Sequence, residues 1–287
     1  MSTWTSKDEK VSKEILVPGY FSKRPSHLCV CTLIISSPKI NDKTGEQAVN
    51  AIKNDLHSQI INGEEKKEVV IDKTYSIVDI LIERAILTMS LNEKSLITVK
   101  VQNDDMGISV VSLEVIVENI VYYKPIWEWK SEEKYKIALE HKQIGIKLFQ
   151  EKRYVDAFHA FSKACKIILT LEPIENDEPL INELLNLKLV LFNNMAECQL
   201  IKQNYDHAVT LCTKVLNKEE NNVKALYRRG VSYGGLRDFE KAISDLKKIL
   251  NFDSKNKLAK EKLSIYNEQW QKSVKGYDNI VRKMFGA

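Results

Sequence analysis

The sequence has few aromatic residues in its first half and no long apolar run. Between Ser22 and Val121 the one aromatic side chain is Tyr75. No stretch of about 18 uncharged apolar residues occurs, and the chain starts with the polar sequence MSTWTSKDEK. We therefore expect neither a transmembrane helix nor a signal peptide. The default expectation is a cytoplasmic protein, with the nucleus as a second compartment and no membrane partner.

Cysteines and histidines are few and lack the spacing of a metal site. The five cysteines, at 29, 31, 165, 198 and 212, are read as small buried hydrophobes in a reducing compartment. The five histidines form no metal motif, and neither G-x-S-x-G, G-x-G-x-x-G nor a P-loop occurs. These absences leave hydrolase, dehydrogenase and nucleotide-dependent chemistry unsupported. We expect no metal and no cofactor.

Charge is distributed unevenly along a chain whose formal net charge is +4. Residues 1–125 carry 15 Lys and Arg against 17 Asp and Glu, whereas residues 126–287 carry 28 against 22. The basic residues alternate with acidic ones, and the aromatic residues of the second half fall mainly on packing positions. A nucleic-acid surface would combine clustered basic residues with exposed aromatics. We therefore expect no nucleic-acid partner.

The first half of the chain alternates like strands. β-Branched runs cover 28–35, 68–71, 96–101 and 110–121, each bounded by residues typical of turns. Residues 77–89 instead repeat their apolar positions at three and four, which predicts one amphipathic helix on the sheet. The polar stretch 39–67 is interpreted as a long loop or insertion. Residues 1–125 are thus predicted to form an α+β domain with one helix.

The second half contains a repeat in which a small residue precedes an alanine by twelve positions. The pairs are Gly145 and Ala157, Ala196 and Ala208, and Gly230 and Ala242. Ala196 and Gly230 are 34 residues apart, the period of tetratricopeptide (TPR) repeats, which are helical hairpins. Gly145 and Ala196 are 51 apart, which leaves 17 extra residues, and the stretch 171–179 marks where we expect this insertion. We predict a connector over 126–136 and an all-α superhelix of three TPR repeats over 137–256.

A last helix is predicted over 257–287. Its apolar face contains Leu263, Tyr266, Trp270, Val274, Tyr277, Val281 and Met284. Terminal repeats otherwise expose a core face, so we expect this helix to cap the stack. A basic amphipathic helix could instead bind calmodulin, which is the alternative interpretation.

Four short segments resemble the large immunophilins of the FK506-binding-protein (FKBP) family. KEILVPG at 13–19 is similar to the family's entry strand, and 78–94 is similar to its helix and the turn after it. LEVIVE at 113–118 resembles the last strand, and RKMFG at 282–286 resembles a tail seen in this group. The resemblance implies an FKBP-like sheet domain followed by TPR repeats. It is strong in the TPR half and weak in the first half.

Family members usually catalyse peptidyl-prolyl isomerisation in a bowl of aromatic side chains. By alignment to the family motif, the tryptophan at the pocket floor is replaced by Ile82 and the isoleucine of the preceding Val-Ile pair by Asp79, next to Val78. The final-strand aromatic becomes Val115 and the loop tyrosine falls near Asp105. Without the bowl, the twisting X-Pro amide is not desolvated. The resemblance therefore implies an FKBP-shaped domain that is not an enzyme, with weak isomerase activity as the alternative.

The resemblance also implies a peptide-binding groove. With Gly145, Ala196 and Gly230 at repeat position 8, positions 2, 5, 6 and 9 of each first helix face one trough. The residues that match the family's dicarboxylate clamp are Lys142, Asn194, Lys224 and Arg228. Such donors suit the carboxylates of an acidic chaperone tail. Ile146 replaces a clamp asparagine, so one hydrogen bond to the ligand is missing.

The sequence thus predicts a non-catalytic co-chaperone adaptor. Its expected partner is the acidic C-terminal tail of heat-shock protein 90, or that of heat-shock protein 70, while the FKBP-like domain contacts client proteins. A TPR scaffold for a partner unrelated to chaperones is the remaining alternative.

Overall fold

The computed structural model describes residues 2–103, 107–171 and 178–285. The chain divides into two compact units, Met1–Glu133 and Lys134–Ala287. The first consists mainly of a β-sheet and the second of helices, as the change of apolar period from two to about 3.6 predicts. The predicted fold class, an FKBP-like α+β domain followed by TPR helices, is confirmed.

In the residues that the structure describes, the first unit is built on one antiparallel sheet of seven strands. Six of them follow the order β1, β2, β6, β7, β3 and β4 across the sheet. The seventh strand, β5, also pairs with β3. The strands are β1 Thr3–Thr5, β2 Val11–Val17, β3 Val30–Ile40, β4 Lys43–Thr44, β5 Lys66–Val70, β6 Lys94–Asn103 and β7 Gly107–Val121. β7 buries alternate residues, including Leu113 and Val115, because successive side chains of a strand point to opposite faces.

Two helices cover this sheet in the described part of the first unit. α2 (Ile77–Ile86) packs on β2 and β6. Its N-cap is Ser76, whose hydroxyl accepts a hydrogen bond from the Asp79 N–H at 3.2 Å. α1 (Gly45–Asp55) packs on β3 and β4. The sequence predicted one helix in this unit, so α1 is a second helix that it missed. Only Ala48, Ala51 and Ile52 of α1 are buried, so polar neighbours concealed the helical period.

The second unit is a series of helical hairpins. Its helices are α3 Ser131–Gln150, α4 Tyr154–Leu169, α5 Glu178–Ile201, α6 Tyr205–Leu216, α7 Val223–Gly235, α8 Phe239–Phe252 and α9 Lys257–Phe285. The connector predicted over 126–136 contains a 3-10 turn at Ile126–Glu128. It ends earlier than predicted, because α3 already starts at Ser131.

The small residues of the repeat lie where two helices of a hairpin come close together. A Cβ added to Gly145 would lie 2.5 Å from the ring of Phe161 on α4. Ala157, Ala208 and Ala242 are fully buried. Because the first helix of each hairpin must approach the second so closely, the small residue and the alanine keep their spacing through the three repeats.

The last helix packs along only part of its predicted apolar face. Tyr266 is buried, and its hydroxyl donates to the Val231 carbonyl of α7 at 3.4 Å. Further along α9, Val274, Tyr277 and Met284 are exposed, while the side chain of Val281 lies outside the described residues. The first half of the helix therefore packs on the last repeat, and the described apolar side chains of its second half are exposed.

Candidate peptide-binding groove

The predicted clamp residues come from the first helix of each repeat. α3 contributes Lys142 and Ile146, α5 contributes Asn194, and α7 contributes Lys224 and Arg228. Position 1 of the third repeat, residue 223, is also the first residue of α7. The repeat numbering derived from the sequence therefore agrees with the helix that it describes there.

One cleft of about 280 Å³ lies where α3, α5 and α7 come close together. It is lined by Ile146, Phe149, Gln150, Phe161, Asn194, Glu197 and Arg228. Two clamp residues and the degenerate clamp position thus meet at one site, although they lie far apart in the sequence. The site combines apolar walls with an amide, a guanidinium and a carboxylate.

The two predicted lysines do not line this cleft. Lys142 is half-buried one helical turn before Ile146, and Lys224 is exposed one turn before Arg228. Residues four apart lie on the same helical face. Each lysine therefore lies on the helical face of a cleft residue, one turn towards the N-terminus of its helix.

Arg228 is already held by groups of the protein. Its Nε donates to Glu197 Oε2, and its Nη1 donates to the backbone oxygen of Asn193 at 3.1 Å and to the side-chain oxygen of Asn193 at 3.3 Å. The side chain of Arg228 is 15% exposed and that of Glu197 is 30% exposed. A charge-assisted contact of this kind fixes the guanidinium in place.

Sequence reasoning missed Glu197. The residue occupies position 9 of the second repeat, one of the four positions predicted to face the trough, so the signal was available in the repeat numbering. The structure also distinguishes Asn194 from its neighbour Asn193. Asn193 is buried and bonded to Arg228, whereas Asn194 is half-buried and lines the cleft.

The neighbouring arginine has a structural role. Arg229 donates from Nε and Nη2 to the two carboxylate oxygens of Asp245, at 2.8 Å each. Hydrogen bonding to Asp245 is the main reason why the pKa of Arg229 is raised. Because Asp245 is buried on α8, this pair joins the two helices of the third repeat and does not belong to the groove.

The positions that correspond to the isomerase pocket are part of the core of the first unit. Val78, Ile82 and Val115 are fully buried among aliphatic side chains, and Tyr75 is buried too. Asp105 lies outside the described residues. At the described positions these aliphatic side chains are part of the hydrophobic core of the first unit.

Asp79 is fully buried but well hydrogen-bonded. Its carboxylate accepts the hydroxyl of Ser58 and the backbone N–H groups of Gln59 at 2.6 Å and Ile60 at 3.4 Å. Burial raises the pKa of Asp79, and these hydrogen bonds oppose the increase. The carboxylate therefore joins α2 to the chain at 58–60, and its role is structural.

Among the described residues, no group of three or more His, Cys, Asp or Glu is arranged to hold a metal ion. All five cysteines are buried. Burial raises the pKa of Cys198, near the groove, to about 12, so its thiol stays protonated. Within the residues that the structure describes, no helix has the length and apolarity needed to span a membrane.

Comparisons with known proteins agree with this two-unit structure. The family model described as BDBT FKBP like N-terminal matches residues 4–121. The mouse protein FK506-binding protein-like is 36% identical over 55% of this chain and 43% of its own length. The human peptidyl-prolyl cis-trans isomerase FKBP4 is 28% identical over 71% of this chain and 46% of its own length.

A solved structure shows the fold of the second unit. The C-terminal TPR-containing domain of an FK506-binding protein from Plasmodium falciparum has a TM-score of 0.50 and 24% sequence identity, covering 53% of this chain and 99% of that domain. By its fold and by these matches the chain is similar to FKBP-type immunophilins with a TPR region, and within that class to the FK506-binding protein-like type. It spans less than half the length of the mouse relative.

Proposed function

We propose that this chain is a non-catalytic co-chaperone adaptor. Its TPR groove binds the acidic C-terminal tail of heat-shock protein 90, or that of heat-shock protein 70, and its FKBP-like unit contacts client proteins. The adaptor works in the cytoplasm, with the nucleus as a second compartment.

The meeting of Asn194 and Arg228 in one cleft is the observation that carries this proposal. They stand on α5 and α7, so only the packing of the repeats brings an amide and a guanidinium together. Lys142 and Lys224 add positive charge on the same helical faces. Carboxylates require charge-assisted donors of this kind, which supports an acidic peptide as the ligand.

Ile146 lowers the expected affinity for such a peptide. It brings an apolar side chain to the cleft where the clamp of the family has an asparagine. The loss of a hydrogen bond to a partly buried carboxylate costs about 1.5–3 kcal/mol. We therefore expect binding in the micromolar range.

Calorimetry of the full chain with an acidic pentapeptide ending in Asp tests the proposal. Lys224→Ala should lower the affinity at least about tenfold, because it removes a charged donor. Lys247→Ala is the matched control, since Lys247 is exposed on α8, the second helix of its hairpin. The C-terminal amide of the same peptide should bind weakly, and high salt should weaken binding. Equal affinity of the acid and amide peptides would contradict a carboxylate clamp.

The non-catalytic part of the proposal is supported by the buried aliphatic residues Val78, Ile82 and Val115 and by buried Asp79. In a protease-coupled assay, the full chain should leave the rate of X-Pro isomerisation of a test peptide unchanged. A rate that rises in proportion to protein concentration would favour the alternative, a weak isomerase.

One residue of the groove favours the alternative function, a TPR scaffold independent of chaperones. Glu197 brings a negative charge to a site that should receive carboxylates. If the full chain binds neither the Asp-terminated peptide nor its amide, the scaffold replaces the adaptor as the better description.

A further inference from the structure

Glu197 lies inside the cleft that the proposed function assigns to an acidic peptide, and the inference below depends on that function. Glu197 is three residues after Asn194 on α5, so both side chains line the cleft from one helical face. A ligand carboxylate that enters the cleft therefore meets an amide donor and a fixed carboxylate next to each other.

The contacts of Arg228 determine what a ligand carboxylate can bind. A guanidinium receives a carboxylate through one of two edges, formed by Nε with one terminal nitrogen or by the two terminal nitrogens. Nε donates to Glu197 and Nη1 donates to Asn193. The edge that contains Nε is closed by Glu197, because Nε has a single N–H. At the other edge a ligand carboxylate must share Nη1 with the backbone and side-chain oxygens of Asn193.

The local charge balance has the same effect. The ion pair is partly withdrawn from water, with the Glu197 side chain 30% exposed and that of Arg228 15% exposed. Electrostatic interactions are stronger there than in bulk water. Glu197 neutralises Arg228 and repels a second carboxylate that comes close to the pair.

We propose that Glu197 is a specificity-determining residue of the groove. It competes with the ligand for Arg228 and selects against a side-chain carboxylate on the last residue of the peptide, while Asn194 remains available to the terminal carboxylate. The wild-type groove still binds the free C-terminus of the proposed acidic tail, but Glu197 lowers the affinity for a last residue that carries a side-chain carboxylate and so keeps that binding weak.

A cycle of two proteins and two peptides tests this inference. The proteins are the full-length wild type and Glu197→Gln, and the peptides are acidic pentapeptides that end in Asp or in Asn, both with a free C-terminus. Glu197→Gln should raise the affinity for the Asp peptide about tenfold, because it releases Arg228 and removes a repulsion. The affinity for the Asn peptide should change less than about twofold. The difference measures the coupling between Glu197 and the last side chain of the ligand.

Two controls keep the result specific to the cleft. Glu240→Gln removes one exposed carboxylate of α8 and should leave both affinities unchanged. Glu197→Ala should repeat the gain for the Asp peptide, and thermal unfolding should show that each variant is folded.

The outcomes separate this inference from the proposed function. If wild type binds both peptides and Glu197→Gln improves them equally or not at all, the inference about Glu197 is wrong and the adaptor function stands. If no protein binds either peptide, both are wrong. If Glu197→Gln alone binds the Asp peptide, the inference is supported, whereas the proposed adaptor function of the wild type is wrong because its groove excludes that ligand.

Discussion

The first unit encloses a charged pair that water hardly reaches, whereas the groove of the second unit keeps its charges near the surface. Lys13 Nζ and Glu93 Oε1 are 2.7 Å apart, with each side chain 4% exposed. Glu93 also accepts the Ser90 N–H at 2.9 Å and the Ser95 hydroxyl at 2.8 Å. In the groove, by contrast, Lys224 is exposed.

This difference separates charges that hold a fold from charges that can bind. A buried pair with its hydrogen bonds satisfied has no capacity left for a ligand, and removing one partner leaves an uncompensated charge. Exposed charges contribute little to stability and remain accessible. The adjacent residues Arg228 and Arg229 differ in their partners, since Arg229 is paired with Asp245, whose side chain is 8% exposed, and Arg228 with Glu197, whose side chain is 30% exposed.

The largest expected effect is on the buried pair of the first unit. Lys13→Met should lower the free energy of unfolding by about 3–5 kcal/mol, because Glu93 would remain buried without its cation. Lys66→Met is the matched control, since the Lys66–Glu118 pair is 60% and 37% exposed and should contribute no more than about 1 kcal/mol. Urea unfolding followed by hydrogen exchange of β2 and β6 measures both. Similar losses in the two variants would contradict the distinction between buried and exposed pairs.

A pH-dependent effect is expected in the second unit. Burial, together with the nearby Lys163 and Lys166, lowers the pKa of His159 to about 4 from an ordinary value of 6.5. The unfolded chain therefore binds a proton at a pH where the folded chain does not. The second unit should lose up to about 3 kcal/mol of stability as pH falls from 6.5 to 4. His159→Leu should reduce this dependence in urea titrations, and an unchanged slope would show that other groups cause it.

A smaller effect is expected where α9 packs on the last repeat. A Cβ at Gly234 would lie 2.1 Å from the ring of Tyr266. Gly234→Ala should therefore destabilise the packing of α9 by about 1–3 kcal/mol, seen as faster hydrogen exchange at 257–270. Tyr266→Ala in the same chain should make the added methyl group almost harmless. If the two substitutions were additive, the close contact would not be the cause.

The smallest effect on stability is expected for the groove lysine. Lys224→Ala should change the free energy of unfolding by no more than about 0.5 kcal/mol, because Lys224 is exposed. The same variant should lose peptide affinity, so stability and binding should respond separately. Parallel thermal unfolding and calorimetry check this, and a large stability loss would place Lys224 among the structural charges.

Local patterns predicted much of the fold, because they depend on residues close in sequence. The alternation of β7 and the small-residue spacing of the repeats both follow from the geometry of a single strand or hairpin. α1 was missed because only three of its residues are buried, so its period was too weak to detect. The apolar face of α9 did not show how far along the helix packing extends, because packing also needs a neighbouring surface.

The sequence by itself determined the two kinds of unit, the repeat period and the positions of Asn194 and Arg228 on their helices. Only the tertiary structure decided that Arg228 meets Glu197, 31 residues earlier, and that buried Asp79 has three hydrogen-bond donors from the chain at 58–60. The physical reason is that periodicity assigns a side chain to one face of its own helix. The distance between two such faces depends on how whole helices pack.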